Sequence, residues 1–303
     1  MSFTAQDVKA LREKTGCGMM DCKKALTEAN GDMDAAVDFL REQGLAKQAK
    51  KASRIAAEGI AFALTNDTNT VGVVIEVNSE TDFVAKNEDF QNFVKTCAQT
   101  VIDNAPADVD ALKACIASGT EMTVEALLQE KVLTIGENLQ IRRFERFEAP
   151  CVGYVHAGGK IGVMVTFDTD VDTASDAFVA CGKDVAMQIA ALSTPYLDKD
   201  GVPADVLEHE KKIMREQLLN EGKPEAIIEK ILGGKVAKFY KENCLVDQEF
   251  VKNNDVTIKQ YVDSVAKELG GTITITGFVR YEKGEGLEKR QDDFAAEVAN
   301  MVK

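Results

Sequence analysis

A unit made of an apolar strand, a polar loop and a helix occurs twice in this sequence, about ninety residues apart. The first strand spans Val71–Val77 and leads through Thr81-Asp82 into a helical pattern, and the second spans Ile161–Phe167 and leads through Thr169-Asp170. In the first strand nearly every side chain is apolar, with Glu76 the exception, which is typical of a strand buried on both faces. This self-similarity predicts a fold with two related β/α units.

One segment of the first unit, Phe83-Val-Ala-Lys-Asn87, has no counterpart in the second unit. It follows turn-forming residues and precedes a helix that we expect to begin near Glu88, so Phe83 lies at a strand-to-helix corner. An aromatic ring at such a corner either folds back as a lid on the hydrophobic core or stands exposed as a wedge for a partner. Because the second unit folds without this segment, packing does not require it, and we favour the exposed wedge.

Several motifs of the chain resemble the bacterial elongation factor Ts family. The two long ones are Thr81–Asn87 and Leu11–Leu26, and the shorter ones are Ile135–Asn138, Ile141–Arg143, Gly277–Glu282 and Gly284–Gly286. The similarity covers essentially the whole chain. It implies a guanine-nucleotide exchange factor, not an enzyme, that binds elongation factor Tu carrying GDP and promotes release of the GDP. In this view the Phe83 side chain is a wedge that disturbs the Mg²⁺ and phosphate region of the partner.

The expected exchange surface comprises five residues, which are Thr81, Asp82, Phe83, Val84 and His156. The histidine ends a strand at a glycine turn. Because no Ser or Cys stands in a nucleophile-type motif near it, we interpret His156 as an ordinary turn residue or a partner contact and not as a catalytic group.

The first 54 residues are predicted to form a separate module of three short helices, similar to the ubiquitin-associated fold, followed by a basic linker. Thr4 is the predicted N-cap of the first helix, and Asp32 is the predicted N-cap of the third. Gly16 and Gly18 are predicted to form the turn between the first and second helices, because glycine adopts turn conformations at low cost in free energy.

Met19 and Met20 open the second helix of this module, and two adjacent helical residues cannot both point into the core. One alternative places one Met in the core and leaves the other exposed without a function. The other makes the pair a pliable apolar contact patch, with Lys9 and Arg12 as its basic flank. The family resemblance favours the contact patch.

We expect an α+β chain in five parts. Residues 1–54 are the helical partner-binding module, 55–148 the first core subdomain, 149–197 plus 245–283 the second core subdomain, 198–244 a helical hairpin or coiled-coil arm, and 284–303 a C-terminal helical module. The arm is too short to bury its whole apolar stripe internally, so it needs a core, a partner or a second copy. A homodimer or a 2:2 complex through the arm is one expected arrangement.

The last part of the chain reads as a capped amphipathic helix with Phe294 and Val298 on one side. Terminal helices of this kind either dock on the core or bind a partner. We include Phe294 and Val298 among the expected contacts with elongation factor Tu.

Composition narrows the classes of function. The net charge of −14 argues against a nucleic-acid partner, since phosphate backbones are bound by clustered Lys and Arg. No apolar run approaches the roughly 18 residues of a membrane span and no signal peptide is recognisable, so we expect no membrane partner and a cytoplasmic location. The seven cysteines are an odd number without a Cys-x-x-Cys pair, which predicts reduced thiols and no metal site.

Two other classes of function fit the sequence less well. An enzyme centred on Asp82 and a histidine would be expected to show a P-loop, a dinucleotide-binding glycine pattern, a metal-ligand cluster or a nucleophile elbow, and none is recognisable. We accordingly expect no cofactor. A generic adaptor that holds peptides with its N-terminal helices and has no exchange activity accounts for the first 54 residues but leaves the Phe83 loop without a role.

Overall fold

The structure, a computed structural model, describes residues 3–288, and for residues 45–50 it describes the backbone alone. The fold class is α+β, as predicted: a helical N-terminal region precedes two β/α units. Phe294 and Val298, which the sequence suggested as contacts, lie outside the described residues. No helix in the described part of the chain is both long and apolar enough to cross a membrane.

The N-terminal region consists of three helices, α1 (Ala5–Thr15), α2 (Met19–Glu28) and α3 (Met33–Lys51). Thr4 caps α1 as predicted, because its hydroxyl oxygen accepts a hydrogen bond from the amide of Asp7 at 3.3 Å. The third helix is longer than expected. It continues to Lys51, so the basic linker predicted from the sequence is the end of α3 and not a separate connector.

The buried side chains of this helical region share one core with a residue of the next unit. Val8, Leu11, Leu26 and Leu40 pack together with Leu133, which lies far along the chain. The N-terminal helices therefore rest on the first β/α unit instead of standing apart from it.

The first unit is a three-stranded antiparallel sheet covered on one face by helices. Its strands are β1 (Glu58–Thr65), β2 (Gly72–Ser79) and β3 (Gln140–Phe147), with β2 in the centre. Its helices are α4 (Asp82–Ala85), α5 (Glu88–Asn104), α6 (Val109–Ala114) and α7 (Val124–Ile135). Every residue of β2 is buried, as the apolar run predicted, and α5 begins at the expected position. The four-residue helix α4 was not predicted.

The second unit repeats this plan. Its strands are β4 (Cys151–His156), β5 (Ile161–Thr169) and β8 (Ile273–Glu282), which are again antiparallel, with β5 in the centre. Helices α8 (Asp176–Leu192) and α11 (Ile258–Leu269) cover it, and a small hairpin joins β6 (Glu249–Phe250) to β7 (Asn253–Thr257). The structure places Val256 in β7, because Thr257 is the N-cap and its hydroxyl oxygen accepts from the amide of Gln260.

The two sheets pack face to face through small side chains. Ala63 and Val74 of the first sheet meet Cys151 and Met164 of the second. Gly162 allows a close approach to the backbone of β1, since a Cβ atom there would lie 3.0 Å from the carbonyl carbon of Ala61. The two units therefore form one body with a shared inner face.

The arm inserted into the second unit is a pair of antiparallel helices, α9 (Ala204–Asn220) and α10 (Glu225–Asn243). The helices bury Leu218, Ile228 and Leu232. Ile213 and Ile227 remain 39% and 43% exposed, so part of the apolar stripe is not covered within the chain.

Candidate partner-binding surface

Phe83 is the most exposed large apolar side chain of the described residues, at 79%. It lies in the first turn of α4, the short helix between β2 and α5. The ring lies near one charged group, the ammonium of Lys86, 5.8 Å from the ring centroid. The structure therefore excludes the core-lid alternative for Phe83 and leaves an aromatic ring directed to solvent.

A carboxylate from another part of the chain holds the base of this loop. Oε2 of Glu137 accepts hydrogen bonds from the backbone amides of Glu80 and Thr81, both at 3.0 Å. Oε1 of Glu137 accepts from the Thr81 hydroxyl at 2.6 Å. Three hydrogen bonds to one carboxylate restrict the backbone immediately before Phe83 and so fix the direction in which α4 begins. We call Glu137 and its three hydrogen bonds the loop brace.

The turn that carries Glu137 is itself attached to the same loop. The amide of Asn138 donates to Oε1 of Glu80 at 2.7 Å, and the Asn138 side chain donates to the carbonyl of Arg54 at 2.9 Å. Arg54 in turn lies 3.4 Å from the Glu80 carboxylate. The end of the N-terminal region, the Phe83 loop and the α7–β3 turn therefore meet at one point.

Asp82 lies beside Phe83 on the surface and forms an ion pair with Lys86 at 2.8 Å. The hydrogen bond from Lys86 holds the pKa of Asp82 below its ordinary value, so this carboxyl is ionised at neutral pH. The loop thus presents an aromatic ring next to an exposed carboxylate whose counter-ion is also exposed.

Val84 requires a correction. It was expected to belong to the partner-contacting set, but it is only 8% exposed and packs in the core of the first unit with Ala85. Its burial anchors α4 to the unit, because an apolar side chain gains free energy when it leaves water. Val84 therefore holds α4, the helix that carries Phe83, against the core and does not itself present a contact surface.

A cleft of ≈ 320 Å³ lies between the Phe83 loop and the turn that joins α1 to α2. Its lining includes Gly16, Phe83 and Asn87, together with Thr134 and Ile135 of α7. The α1–α2 turn, from which α2 begins, is therefore a neighbour of the exposed aromatic ring.

The two methionines that open α2 are both exposed, Met19 at 57% and Met20 at 74%. The alternative in which one of them fills the core is therefore wrong, and the core position is taken by Cys22. Lys9 is also exposed and forms an ion pair with Glu13 at 3.7 Å, and Arg12 is exposed on the same helix. The N-terminal helices present an apolar pair and two basic groups to solvent.

His156 ends β4 and is half-buried. Its Nδ1 lies 2.9 Å from the hydroxyl of Tyr154, and no Ser or Cys is among the contacts described for the ring. The turn that follows is fixed to the first unit, because the carbonyl of Gly159 accepts a hydrogen bond from the amide of Ala61 at 2.8 Å. A second, smaller cleft between this turn and α5 is lined by Gln91, whose side chain donates to the carbonyl of Ala85 at 3.2 Å.

The structure therefore brings the Phe83 loop, the α1–α2 turn and the His156 turn to the surface around one end of α5. The sequence analysis did not identify Glu80, Lys86 or Glu137 as parts of this region. A signal for two of them was present, since Lys86 falls within the motif Thr81–Asn87 and Glu137 within Ile135–Asn138. No local pattern indicated that Glu137 contacts Thr81.

The family model described as Elongation factor TS matches residues 80–285, which is more than half of the 303 residues. The matched segment begins at the base of the Phe83 loop and includes the loop brace, strand β3 of the first sheet, the second sheet and the arm.

Proposed function

The chain belongs to the elongation factor Ts family, a family of translation elongation factors, and we propose that it is a cytosolic guanine-nucleotide exchange factor that releases GDP from elongation factor Tu. The observation that carries the proposal is the exposed Phe83 ring on a loop whose base is fixed by the loop brace. An exposed aromatic ring on a loop with a fixed base is suited to a contact that another molecule completes.

The proposed mechanism uses Phe83 as a wedge. A GTPase holds GDP through groups around the phosphates and a Mg²⁺ ion with its ordered waters, so an exchange factor must disturb that shell while gaining contacts of its own. An aromatic ring suits this task, because it fills an apolar slot at low entropic cost and can displace a structural element without a charge partner. Because the loop brace already orders the backbone, little conformational entropy is lost on binding.

Asp82 is proposed to act beside the wedge. Its carboxylate is ionised and paired with the exposed Lys86, a counter-ion that water already solvates. On contact with the partner, Asp82 can exchange this weak surface pair for hydrogen bonds to groups that order the Mg²⁺ region.

Other exposed elements are proposed to hold the partner in place. Met19 and Met20 would form an apolar anchor with Lys9 and Arg12 as its basic flank, and His156 would add a contact from the second unit. Thr81 would act from within the loop brace, by fixing the backbone at the start of α4. Phe294 and Val298 would contribute a contact from the C-terminal segment.

Binding of this protein and of GDP to the partner must oppose each other. If the complex weakens GDP binding by some factor, then GDP weakens the complex by the same factor, because the two equilibria are linked. A generic adaptor without exchange activity would not show this reciprocity, and it would have no use for a braced Phe83.

The decisive experiment measures dissociation of labelled GDP from elongation factor Tu with and without catalytic amounts of this protein. We expect the release rate to rise with the protein and the protein by itself to bind no GDP. Binding to elongation factor Tu without faster release would support the adaptor alternative. Tight binding of GDP by the protein alone would contradict the proposal.

A further inference from the structure

Asn138 is a buried polar residue in the turn between α7 and β3, at 2% exposure. Its backbone amide donates to the carboxylate of Glu80 at 2.7 Å, and its side-chain amide donates to the carbonyl of Arg54 at 2.9 Å. Burying a polar group costs free energy unless it is hydrogen-bonded, so the partners that it holds define its role. This one residue holds the base of the Phe83 loop and the end of the N-terminal helices at the same time.

The second unit has the same turn and the same backbone contact. Asn138 follows the C-cap glycine of α7 by two residues, and Thr272 follows the C-cap glycine of α11 by two residues. The amide of Thr272 donates to the carboxylate of Asp170 at 2.6 Å. Asn138 and Glu80 make this contact in the first unit, and each carboxylate belongs to the first residue after the central strand. The backbone contact is therefore part of the repeated fold.

The side chains at the two equivalent positions bind different groups. The Thr272 hydroxyl donates to Asp170 at 3.0 Å and so stays within its own unit. The longer side chain of Asn138 leaves its unit and reaches Arg54, in the turn that follows α3. The hydrogen bond from Asn138 to Arg54 is thus an addition to the repeated fold, and it joins the first unit to the N-terminal helices.

Two cationic side chains make further contacts at the end of α3. Nη1 of Arg54 lies 3.4 Å from Oε1 of Glu80, and Lys51 donates to the carbonyl of Gly136. Both contacts lie at the surface, where water solvates the charges and ion pairs add little free energy. The hydrogen bond from Asn138 is shielded from water and is therefore the stronger constraint on this junction.

The apolar contact between the N-terminal helices and α7 is interrupted by a cleft. Leu133 of α7 lies in the core of the helical region, and a Cβ atom at Gly44 of α3 would lie 3.4 Å from the carbonyl oxygen of Gln129. Beside these contacts, a cleft of ≈ 630 Å³ lies between the two bodies. Apolar contacts are non-directional, whereas a hydrogen bond requires alignment of its groups. The hydrogen bond to Arg54 is therefore the contact best suited to fix the angle of α3.

The length of α3 makes the position of the N-terminal helices sensitive to this angle. The helix has 19 residues and is about 28 Å long. A tilt of about 10° at its C-terminal end therefore displaces its N-terminal end by about 5 Å. Because α2 packs on α3 through a shared core, it moves with that end. This displacement is as large as the separation of about 4–4.5 Å within which apolar side chains are in contact.

We propose that Asn138 is a positioning residue for nucleotide release. By holding the end of α3 on the base of the Phe83 loop, it fixes the angle of the N-terminal helices and so sets Met19 and Met20 at one distance from Phe83. Two contact elements on one chain reinforce each other only when their spacing matches the partner. This inference rests on the proposed function, which makes the methionine pair the anchor and Phe83 the wedge.

The first test measures a distance in the free full-length chain and needs no partner. Spin labels are attached at Lys23→Cys in α2 and Lys95→Cys in α5, two exposed positions, in a Cys115→Ser background that leaves the buried cysteines in place. Asn138→Thr gives the turn the residue that the second unit carries there, so the turn is kept and the contact with Arg54 is lost. We expect the distance distribution from pulsed electron paramagnetic resonance to shift or broaden by about 5 Å.

Thr272→Ala is the matched control, because it changes the equivalent position of the second unit, and it should leave the distribution unchanged. In Asn138→Thr the amides of Glu80 and Thr81 should keep their protection from hydrogen exchange, because Glu137 still accepts from both. An unchanged distance distribution in Asn138→Thr would overturn the proposal. Loss of protection at Glu80 and Thr81 would overturn it too, since the residue would then act through the loop brace.

The second test measures kcat and KM for GDP release from elongation factor Tu in a double-mutant cycle of Asn138→Thr and Met20→Ala. A positioning role predicts a KM several-fold higher in Asn138→Thr with kcat retained, because Phe83 and the loop brace are intact. Met20→Ala should raise KM by a smaller factor in the Asn138→Thr background than in the wild type, because the anchor is already displaced. Equal factors in the two backgrounds, or a loss of kcat at unchanged KM, would contradict the proposal.

Two further outcomes keep this inference separate from the proposed function. If Asn138→Thr does not fold, Asn138→Ala replaces it, since this change removes the side-chain donor and keeps the backbone amide that binds Glu80. If the wild-type chain does not release GDP at all, the proposed function fails, and the distance measurement still decides whether Asn138 fixes the angle of the N-terminal helices.

Discussion

At the scale of single residues, Phe83 and Glu76 depart from the usual rule of burial in opposite directions. Phe83 is a large apolar side chain in water, and Glu76 is a charged side chain with no exposure. The buried carboxylate of Glu76 is compensated by hydrogen bonds from Arg142, Arg143 and Gly284, whereas the Phe83 ring has no comparable packing in the isolated chain. Neither feature has a counterpart in the second β/α unit.

The residue-scale prediction for Phe83 compares two phenylalanines seven residues apart. Phe83→Ala should lower the rate of GDP release substantially and leave the free energy of unfolding unchanged, because the ring is 79% exposed. Asp82→Ala should lower the rate more mildly. Phe90→Ala is the control, since Phe90 is fully buried and its truncation should cost about 3–5 kcal/mol of stability. Denaturant unfolding and GDP-release assays separate the two effects, and a large stability loss in Phe83→Ala would falsify the wedge.

A second residue-scale prediction concerns acid stability. Burial by itself would raise the pKa of Glu76, but hydrogen bonds from Gly284, Asn78, Arg142 and Arg143 outweigh it and hold the pKa below the ordinary value of 4.5. A carboxyl with a lower pKa in the folded state stabilises the fold above the unfolded pKa, and this contribution is lost as the pH falls through the folded pKa.

The stability difference between the wild type and Glu76→Gln should therefore be largest near neutral pH and shrink below about pH 4. Urea unfolding of both proteins at a series of pH values measures it. A difference that is constant from pH 7 to pH 3 would show that Glu76 does not contribute through its charge.

At the scale of elements, the Phe83 loop depends on a turn 56 residues away in sequence. The α7–β3 turn supplies Glu137, whose carboxylate accepts three hydrogen bonds from the loop. Neither element alone orders the start of α4. A loop that must present one side chain accurately gains from such bracing, because a small misplacement costs much of the effect.

The loop brace leads to a prediction for Glu137→Ala. The amides of Glu80 and Thr81 should lose protection from hydrogen exchange, and GDP release should slow although Phe83 is unchanged. Glu145→Ala is the matched control, since Glu145 is an exposed residue of β3 outside the brace. Full activity of Glu137→Ala with unprotected Glu80 and Thr81 amides would mean that nucleotide release does not require an ordered loop.

The arm can be removed cleanly because its two ends meet. The amide of Tyr196 donates to the carbonyl of Asn243 at 3.2 Å, and the amide of Leu245 donates to the carbonyl of Tyr196 at 2.9 Å. A short turn can therefore replace α9 and α10. We expect this change to alter the number of chains per particle, measured by light scattering, or the thermal stability, more than the GDP-release rate. The reason is that Ile213 and Ile227 stay exposed in the single chain. An unchanged oligomeric state together with lost GDP release would show that the arm binds the partner instead.

At the scale of the whole molecule, the N-terminal helices and the first β/α unit form a continuous structure. Leu133 of α7 lies in the core of the helical region, and Lys51 donates to the carbonyl of Gly136. Deleting residues 1–54 would expose Leu133 and remove the Arg54 contact to Glu80. Point variants on the surface therefore test the anchor better than a deletion does.

The anchor prediction uses Met19→Ala and Met20→Ala in the full-length chain. Each should weaken binding to elongation factor Tu by about 1–2 kcal/mol without loss of stability, because both side chains are exposed in the free protein. Lys9→Ala and Arg12→Ala should weaken binding less as the salt concentration rises, since exposed charges are screened. Equal affinities of the wild type and both Met variants at every salt concentration would remove α2 from the interface.

Several local features of this protein were predictable from the sequence alone. The buried strand β2 follows from its apolar run, and the cap at Thr4 and the start of α5 follow from capping residues. These three features depend on neighbours within a few positions of the chain, and the residue types at those positions carry the information. The exposure of Phe83 follows from the comparison of the two repeats.

The features that depend on distant contacts were decided only in the tertiary structure. Three of these contacts join segments that are far apart in sequence: Glu137 with Thr81, Leu133 with the N-terminal helices, and Glu76 with Gly284. The burial of Val84 depends on which face of the short helix α4 packs on the core. The charged residues of these contacts resemble solvated surface residues when read locally. Their roles arise because the packing of distant segments gives each of them specific partners, which no periodicity encodes.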